Sequence, residues 1–372
     1  MKGIFSKKFL AIFLIFLFGF SSLEGKAKKK QAFAPLFIKN FKSAIQGIKL
    51  ATGSGDFVVY GKDWLSYFNA RGKQVWKKKD FKYICGVGIS RDGQVVLYQT
   101  SSVPKTGPQT TLDLTVHIAD GTGKELLRVP NPYRYFYSLL SPQGNYIVFG
   151  DPLAKKIYVY DRNLNRLWER ETYLWYINFD PAEEFIYDSA FGLVLNMKGR
   201  RVWELPRGMK FLSISARAEI ILSRPFLLVK SKNQIYLTAR TTLEQVIFQG
   251  LNAVVSYDGG LVAFQSPEKE VQLWRTRDLI ASLKGEKPAQ PLWKEKTAPV
   301  KFFNISFDNQ TLFIQSETEQ GITQMELIDL VKLKRIWGKS WSLPPEELFI
   351  GEENQVLVLQ QGANLLEYYQ LR

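Results

Sequence analysis

The chain alternates short apolar segments with polar turns, and one version of this pattern recurs from about residue 48 to the end. The clear copies share a Ser or Asp, a polar turn, and a segment rich in Val, Ile, Phe and Tyr. Successive markers lie 51, 39, 35, 41 and 50 residues apart, at Ser90, Ser141, Asp180, Ser215, Ser256 and Ser306, with weaker copies at Thr52 and Ile350. A period of about 40 residues is typical of β-propellers and of helical arrays. The β-branched and aromatic content, interrupted by Gly, Asp, Asn and Pro, favours the propeller.

A second recurring feature is a Trp at a fixed distance after a polar turn. An Asn or Asp stands seven residues before Trp76, Trp168 and Trp203, and Trp337 follows Asp329 by eight. Trp293 takes the same place after a long insertion. The turn ends one strand, and the next strand presents a large flat side chain at a fixed height. We therefore expect these tryptophans to pack between neighbouring sheets rather than to stack on a ligand.

Counting apolar segments predicts the number of blades. Each unit contains four segments, which we name strands a to d in chain order. Seven units are complete, and an eighth ends after strand c. An unfinished sheet leaves an open edge, and a strand from the N-terminus commonly completes it. The sequence predicts an all-β propeller of eight four-stranded blades, with the last blade closed by residues 34–41; seven blades remain an alternative.

The N-terminus has the pattern of a signal peptide. Lys2, Lys7 and Lys8 precede an apolar run over residues 9–20, and small and polar residues follow as far as Ala27. Twelve helical residues span about 18 Å, too short for a hydrocarbon core of about 30 Å. We expect a signal peptide at residues 1–27 with cleavage near Ala27, an N-terminal segment at 28–45 that carries the closing strand, and a propeller domain at 46–372. The mature protein would be secreted or periplasmic, and not transmembrane.

The net charge and the single Cys and single His limit which partners and which metal sites the sequence predicts. The net charge is +15, and removal of residues 1–27, with four Lys and one Glu, leaves +12. Such a surplus favours acidic partners or serves solubility. No specific nucleic-acid partner is expected, because the charges past residues 28–30 look scattered and form no long block. Cys85 and His117 are the only residues of their types, so both are expected to be buried and no Cys-based or His-based metal site is predicted.

The Trp-bearing strand with its Asx turn resembles the tryptophan-docking repeats of the pyrroloquinoline-quinone-like propellers. The turn in ISRDGQVVLY also resembles that of WD-repeat proteins, although the Gly-His and Trp-Asp dipeptides of true WD repeats are missing. The resemblance covers about residues 45–372. It implies a propeller fold, in a family that includes quinone-dependent dehydrogenases and the non-catalytic propeller subunit of the outer-membrane β-barrel assembly machine. One Cys and one His do not supply the cofactor site usual in the dehydrogenases, so no cofactor is expected.

Carboxylates offer the remaining route to catalysis. They recur at the turn between strands a and b, where Asp also favours the turn itself, at Asp92, Asp180, Asp258 and Asp308. A hydrolase or lyase that uses carboxylates at the central channel is therefore the alternative function.

Aromatic and basic residues at the junctions between early units indicate a binding surface. The candidate residues are Tyr133, Arg134, Tyr135, Tyr137, Tyr173, Trp175 and Tyr176. Tyr, Trp and Arg dominate binding hot spots. An insertion at residues 101–113 is expected on the same face as these junctions, and a second insertion at 277–291 on the other. The sequence favours a non-catalytic binding or scaffold protein of the cell envelope, a monomer or a subunit of a complex. It would engage an envelope protein, a glycan or an anionic surface through one loop face.

Overall fold

Each repeat of the sequence folds into one four-stranded antiparallel sheet. In the computed structural model, eight such sheets form an all-β propeller. The structure describes residues 34–103, 113–130, 137–180, 182–225, 233–352, 355–360 and 364–370. The predictions for residues 1–33, the signal peptide among them, therefore lie outside the described residues.

The first half of the propeller contains the N-terminal strand and blades 1 to 4. The strands are β1 (Phe37–Asn40); in blade 1, β2 (Gly47–Leu50), β3 (Phe57–Tyr60), β4 (Leu65–Phe68) and β5 (Gln74–Lys78); in blade 2, β6 (Tyr83–Ile89), β7 (Val95–Ser101), β8 (Leu114–Asp120) and β9 (Glu125–Pro130); in blade 3, β10 (Tyr137–Leu140), β11 (Tyr146–Asp151), β12 (Lys156–Asp161) and β13 (Arg166–Glu171); in blade 4, β14 (Ile177–Phe179), β15 (Phe185–Asp188), β16 (Leu193–Asn196) and β17 (Arg201–Glu204).

The second half contains blades 5 to 8. The strands are, in blade 5, β18 (Met209–Ile214), β19 (Ile220–Pro225), β20 (Gln234–Ala239) and β21 (Glu244–Gln249); in blade 6, β22 (Asn252–Val255), β23 (Leu261–Gln265), β24 (Glu270–Arg275) and β25 (Trp293–Lys296); in blade 7, β26 (Val300–Ile305), β27 (Thr311–Glu317), β28 (Thr323–Asp329) and β29 (Lys334–Trp341); in blade 8, β30 (Glu347–Ile350), β31 (Gln355–Leu359) and β32 (Leu365–Gln370). Short 3-10 helices occupy Leu174–Tyr176 and Ala216–Ala218. Within the described residues the one α-helix, α1 (Thr276–Leu283), lies in the second insertion.

The N-terminal strand closes the last blade, as predicted. β1 pairs antiparallel with β32, placing Phe37 opposite Tyr368. The backbone N–H groups of Leu36 and Phe41 extend the pairing by donating to the carbonyl oxygens of Tyr368 (2.7 Å) and Asn364 (2.9 Å). The strand order of this sheet is β1-β32-β31-β30. Eight blades are therefore confirmed, and the seven-bladed alternative is wrong.

The hydrophobic core lies between the blades. Eight clusters of buried side chains fill the eight interfaces between neighbouring sheets. At the interface that closes the ring, the Phe57 ring stacks on Phe68 (centroids 5.0 Å apart) and on Tyr368 (5.6 Å), and Phe37 covers them from the closing strand. A single blade cannot bury both of its faces, so the stability of each blade depends on its two neighbours.

The recurring Ser of the sequence pattern is a turn residue. Its hydroxyl accepts a hydrogen bond from the backbone N–H five residues ahead, as from Val95 to Ser90 and from Leu261 to Ser256, both 2.9 Å. Asp180 replaces this Ser in blade 4, and its carboxylate accepts from the N–H of Glu184. The repeated Ser thus pairs a backbone group that the tight turn would leave unsatisfied.

Candidate binding surface

The antiparallel order of the strands sorts the loops onto two faces. The a–b turns and c–d turns lie on one face, which we call the turn face. The b–c loops and the d–a junctions lie on the other, the junction face. A backbone hydrogen bond joins neighbouring blades at the junction face, where the Ile84 N–H of β6 donates to the Lys62 carbonyl oxygen of the b–c loop in blade 1 (2.7 Å).

Three of the predicted binding residues form an exposed aromatic cluster on the junction face. The rings of Tyr173 and Trp175 stack with centroids 4.4 Å apart and an interplanar angle of 15°, and Tyr176 meets both edge-on. The exposed fractions are 56% for Trp175 and 38% for Tyr176. A 3-10 turn presents these rings, and Leu174 in that turn packs directly over Gly150 of blade 3. Exposed aromatic rings on a firmly held turn can bind a partner with little loss of entropy.

A partly exposed cation and a fourth aromatic ring belong to the same region. The Arg170 guanidinium lies 5.9 Å from the ring centroid of Phe191, whose side chain is 55% exposed. Arg170 Nε also lies 3.5 Å from Oδ2 of Asp188, which is fully buried and accepts a hydrogen bond from the Thr172 hydroxyl (3.2 Å). Burial raises the pKa of Asp188. The buried carboxylate restrains the arginine beside the exposed rings.

Backbone contacts connect the two loops that carry these rings. The N–H and the hydroxyl of Ser189 both donate to the Tyr176 carbonyl oxygen at 2.9 Å. The b–c loop of blade 4, with Phe191, is thereby joined to the d–a junction of blades 3 and 4. We call Arg170, Tyr173, Trp175, Tyr176 and Phe191 the aromatic patch.

The remaining predicted binding residues are not placed with this patch. Tyr133, Arg134 and Tyr135 lie outside the described residues. Tyr137 is the first residue of β10. Their contribution to one continuous surface stays a prediction.

Two of the predicted packing tryptophans dock on the c–d turn of the next blade. Trp76 Nε1 donates a hydrogen bond to the Gly121 carbonyl oxygen at 3.1 Å, and Trp168 Nε1 donates to that of Met197 at 2.9 Å. Both acceptors lie one blade further round the ring. The indole N–H is thus paired while its half-buried ring packs against the neighbour.

The other three tryptophans also contact the adjacent blade. Trp337 is 3% exposed, and its ring centroid lies 5.5 Å from that of Tyr369 in blade 8. The rings of Trp203 and Phe211 approach to 6.4 Å across blades 4 and 5. Trp293 packs against the cluster between blades 6 and 7.

The carboxylates at the a–b turns are engaged within their turns. One oxygen of Asp92, Asp258 or Asp308 accepts hydrogen bonds from the preceding Ser hydroxyl and from a backbone N–H. Asp180 is fully buried, and burial raises its pKa. The recurrence of these acids therefore has a structural cause in the turn itself.

Sequence reasoning missed a cluster at the mouth of the central channel on the turn face. Arg91 forms a two-pronged ion pair with Glu352, both N–O distances being 2.6 Å, and the Arg91 guanidinium lies 3.8 Å from the centroid of the Phe307 ring. Tyr257 packs on Phe307 at 4.0 Å. The hydrogen bonds to Glu352 raise the pKa of Arg91. The sequence does contain a feature that could have predicted this cluster, because Arg91, Tyr257 and Phe307 each directly follow the repeated Ser.

This cluster stands between two cavities that share part of its lining. One, of about 850 Å³, is lined by turn residues that include Asp92, Gln143 and Asp308, and the other, of about 300 Å³, by strand a residues that include Ile214 and Val254. The Arg91–Glu352 pair lines both.

The lone His and lone Cys have different environments. His117 is 3% exposed, stacks on Tyr98 at 4.5 Å, and bonds Thr100 through Nε2 (3.0 Å) and Glu125 through Nδ1 (2.9 Å), so the prediction that it is buried is confirmed. Cys85 is half-buried, and the prediction that it is buried is wrong. A register shift between Ile84 and Gly86 leaves this residue outside the regular strand pairing. No group of residues suited to hold a metal ion occurs among the described residues.

Comparisons with known proteins identify the fold. No protein-family model matches the chain, and no curated protein matches it. Among solved structures, BamB from Moraxella catarrhalis is 13% identical, with a TM-score of 0.54 over 92% of this chain and 98% of that chain. The C-terminal WD40 domain of Sif2 is 11% identical, with a TM-score of 0.58 over 92% and 99%. Sqt1 from Saccharomyces cerevisiae is 9% identical, with a TM-score of 0.57 over 92% and 100%. The chain is thus similar in fold to both a BamB propeller and WD40 propellers.

Proposed function

We propose that this protein is a non-catalytic binding or scaffold propeller of the cell envelope that engages a partner through its junction face. The aromatic patch is the observation that carries the proposal. Its rings are exposed although a 3-10 turn, a buried carboxylate and the Ser189 hydrogen bonds hold them in place. An envelope protein, a glycan or an anionic surface is the class of partner that aromatic rings with an arginine suit.

The envelope location rests on the N-terminal sequence. The basic residues and short apolar run of residues 1–27 support export with cleavage near Ala27 and a secreted or periplasmic product. In the part of the chain that the structure describes, no helix is both long and apolar enough to cross a membrane. Sequencing the N-terminus of the protein from cells tests this step, and Met1 as the first residue would contradict it.

Site-specific crosslinking tests the binding face. A photoreactive residue at Phe191 should give a stoichiometric adduct in the native envelope. The same photoreactive side chain placed at Val331, which lies on the turn face and is even more exposed at 73%, should give no such adduct. Binding of the identified partner should then be lost in a Trp175→Ala, Tyr176→Ala variant. The matched control is Leu243→Ala with Val331→Ala, which removes exposed apolar side chains from the turn face.

The alternative is a hydrolase or lyase that uses carboxylates near the channel. The observation that favours this alternative is that Asp92, Asp308 and Glu352 line the cavity of about 850 Å³. Their turn hydrogen bonds and the ion pair of Glu352 explain their presence without catalysis. A broad hydrolase and lyase panel should give no turnover, and turnover abolished by Asp308→Asn or Glu352→Gln would replace the binding proposal with the catalytic one.

A further inference from the structure

The net charge of the propeller is concentrated in one sector. Residues 34–83 contain nine Lys and one Arg against three Asp, whereas residues 84–372 contain 33 basic and 31 acidic residues. The remainder of the ring is therefore nearly neutral. From the sequence we judged these charges to be scattered. In the structure, β1 packs beside blade 1, so the lysines of residues 34–83 fall in one sector.

Topology places most of these lysines at one edge of the junction face. They lie at the junction-face ends of β1 and β5, in the b–c loop of blade 1, and in the d–a junctions that follow these two strands. We call Lys39, Lys42, Lys62, Lys77, Lys79 and Lys82 the lysine sector; all are exposed except Lys39, which is half-buried.

No carboxylate among the described residues neutralises the lysines of this sector through an ion pair. All the ion pairs found among the described residues involve positions from Arg91 onward. Residues 34–83 are described without a gap, and none of their lysines pairs with a described carboxylate. The nearby acids Asp63 and Asp80 are exposed and likewise form no ion pair there.

Two of the ammonium groups are held on one aromatic stack. Lys39 Nζ lies 4.3 Å from the Phe68 ring centroid, and Lys77 Nζ lies 5.0 Å from that of Trp64. The Phe41 ring lies between them, stacked on Trp64 at 5.5 Å. Burial, and then the charge of Lys77, lower the pKa of Lys39. An anion over this stack would relieve the repulsion between the two charges.

We propose that the lysine sector docks the propeller onto the anionic headgroups of a phospholipid bilayer. Spread lysines on flexible stems suit a surface of delocalised negative charge, whereas recognition of one carboxylate or phosphate favours the fixed fork of arginine. None of the cavities described above is lined by these lysines. The inference rests on the proposed binding function but uses different residues from the aromatic patch.

Vesicle flotation with the purified mature protein tests the proposal. Protein should float with vesicles that contain phosphatidylglycerol and stay behind with pure phosphatidylcholine vesicles. Raising the salt should release it, because the attraction is screened within about 10 Å at 0.1 M ionic strength. Each lysine near the surface contributes about fivefold to partitioning, so Lys62→Gln, Lys77→Gln, Lys79→Gln and Lys82→Gln together should weaken it roughly 600-fold.

A charge-matched variant on the turn face is the control. Lys124, Lys198 and Lys287 lie in c–d connections, and Lys334 is the first residue of β29, directly after such a connection; all four are exposed. Their change to Gln lowers the net charge equally and should leave flotation almost unchanged. Equal loss in both variants, or binding to an acidic polysaccharide or DNA without binding to vesicles, overturns the proposal. Each variant is accepted only with an unchanged melting temperature. The sector variant should keep its crosslink at Phe191, which separates failure of this inference from failure of the proposed function.

Discussion

The two faces of the propeller are built from the same repeats but are held differently. On the turn face, tryptophan indoles dock on the next blade, repeated serines pair the tight turns, and the Arg91–Glu352 ion pair crosses from blade 2 to blade 8. On the junction face, aromatic rings are exposed, and the lysines of the lysine sector form no ion pair with any carboxylate in the described ranges. The turn face therefore uses its polar and aromatic groups for cohesion. The junction face leaves such groups accessible to a partner, as loops on a rigid scaffold commonly do.

The closing strand is the strongest test of the cohesion on which both faces depend. Deleting residues 34–45 removes the pairing of β1 with β32 and exposes the rings of Phe57 and Tyr368. We expect the free energy of unfolding to fall by roughly 5 kcal/mol or more, from lost burial and a freed edge. Urea denaturation measures this. The control is Leu36→Ala with Ile38→Ala, exposed side chains directly before and within β1, which should cost within about 0.5 kcal/mol. A deletion variant as stable as the full chain would mean that the ring closes without β1.

Trp337 tests whether the tryptophans act by packing. Its ring is buried against Tyr369 in the next blade, so Trp337→Ala should lower the free energy of unfolding by about 3–5 kcal/mol. Trp337→Phe keeps part of the contact and should cost less. Chemical denaturation followed by circular dichroism gives both values. A cost below about 1 kcal/mol for the alanine variant would remove this residue from the packing role.

The Arg91–Glu352 pair tests how much an ion pair between blades 2 and 8 stabilises the turn face. The two-pronged geometry predicts a coupling energy of about 1–3 kcal/mol in a double-mutant cycle of Arg91→Met and Glu352→Gln. Both side chains are partly buried, so the coupling should change little with salt. Additive costs for the two single variants would show that the pair adds nothing to stability.

The pH dependence of stability tests the burial of His117, which lies in the interior between the two faces. Burial lowers the pKa of His117 in the folded protein, so the unfolded chain binds the proton more readily. Stability should therefore be complete above the ordinary His value near 6.5 and be lost as the pH falls from there toward the lowered folded pKa. The comparison is with His117→Gln, since other groups titrate in both proteins. The difference in unfolding free energy between the two should shrink as the pH falls from 7.5 to 5. A difference that is constant or grows on acidification would contradict a lowered pKa.

The sequence predicted the architecture because the repeat pattern reports backbone geometry. Turn residues, β-branched strands and the missing fourth strand of the last unit were enough to place eight blades and the closing β1. The sites were harder to predict, since they depend on which loops meet. Tyr173, Trp175 and Tyr176 were found because they stand close together in the chain, beside Arg170, whereas Asp188 and Phe191 are brought to them only by the fold. Arg91 and Glu352 are 261 positions apart, and in the sequence they are linked only because each stands two residues after an Ile, Ile89 or Ile350, at equivalent places in two copies of the repeat.

Trp175 and Tyr176 provide the smallest expected stability effect and the sharpest contrast between the faces. Both rings are exposed, and the turn that carries them is fixed by Leu174 and Ser189 instead. Replacing both with alanine should therefore change the free energy of unfolding by less than about 0.5 kcal/mol, whereas one buried tryptophan of the same fold should cost several times more. Thermal and urea melts of this variant beside Trp337→Ala make the comparison within one protein. If the double variant melts like Trp337→Ala, these rings are packing residues and the difference drawn between the two faces disappears. If the double variant melts like the unaltered protein and loses the Phe191 crosslink, the two rings contribute to partner binding and not to stability.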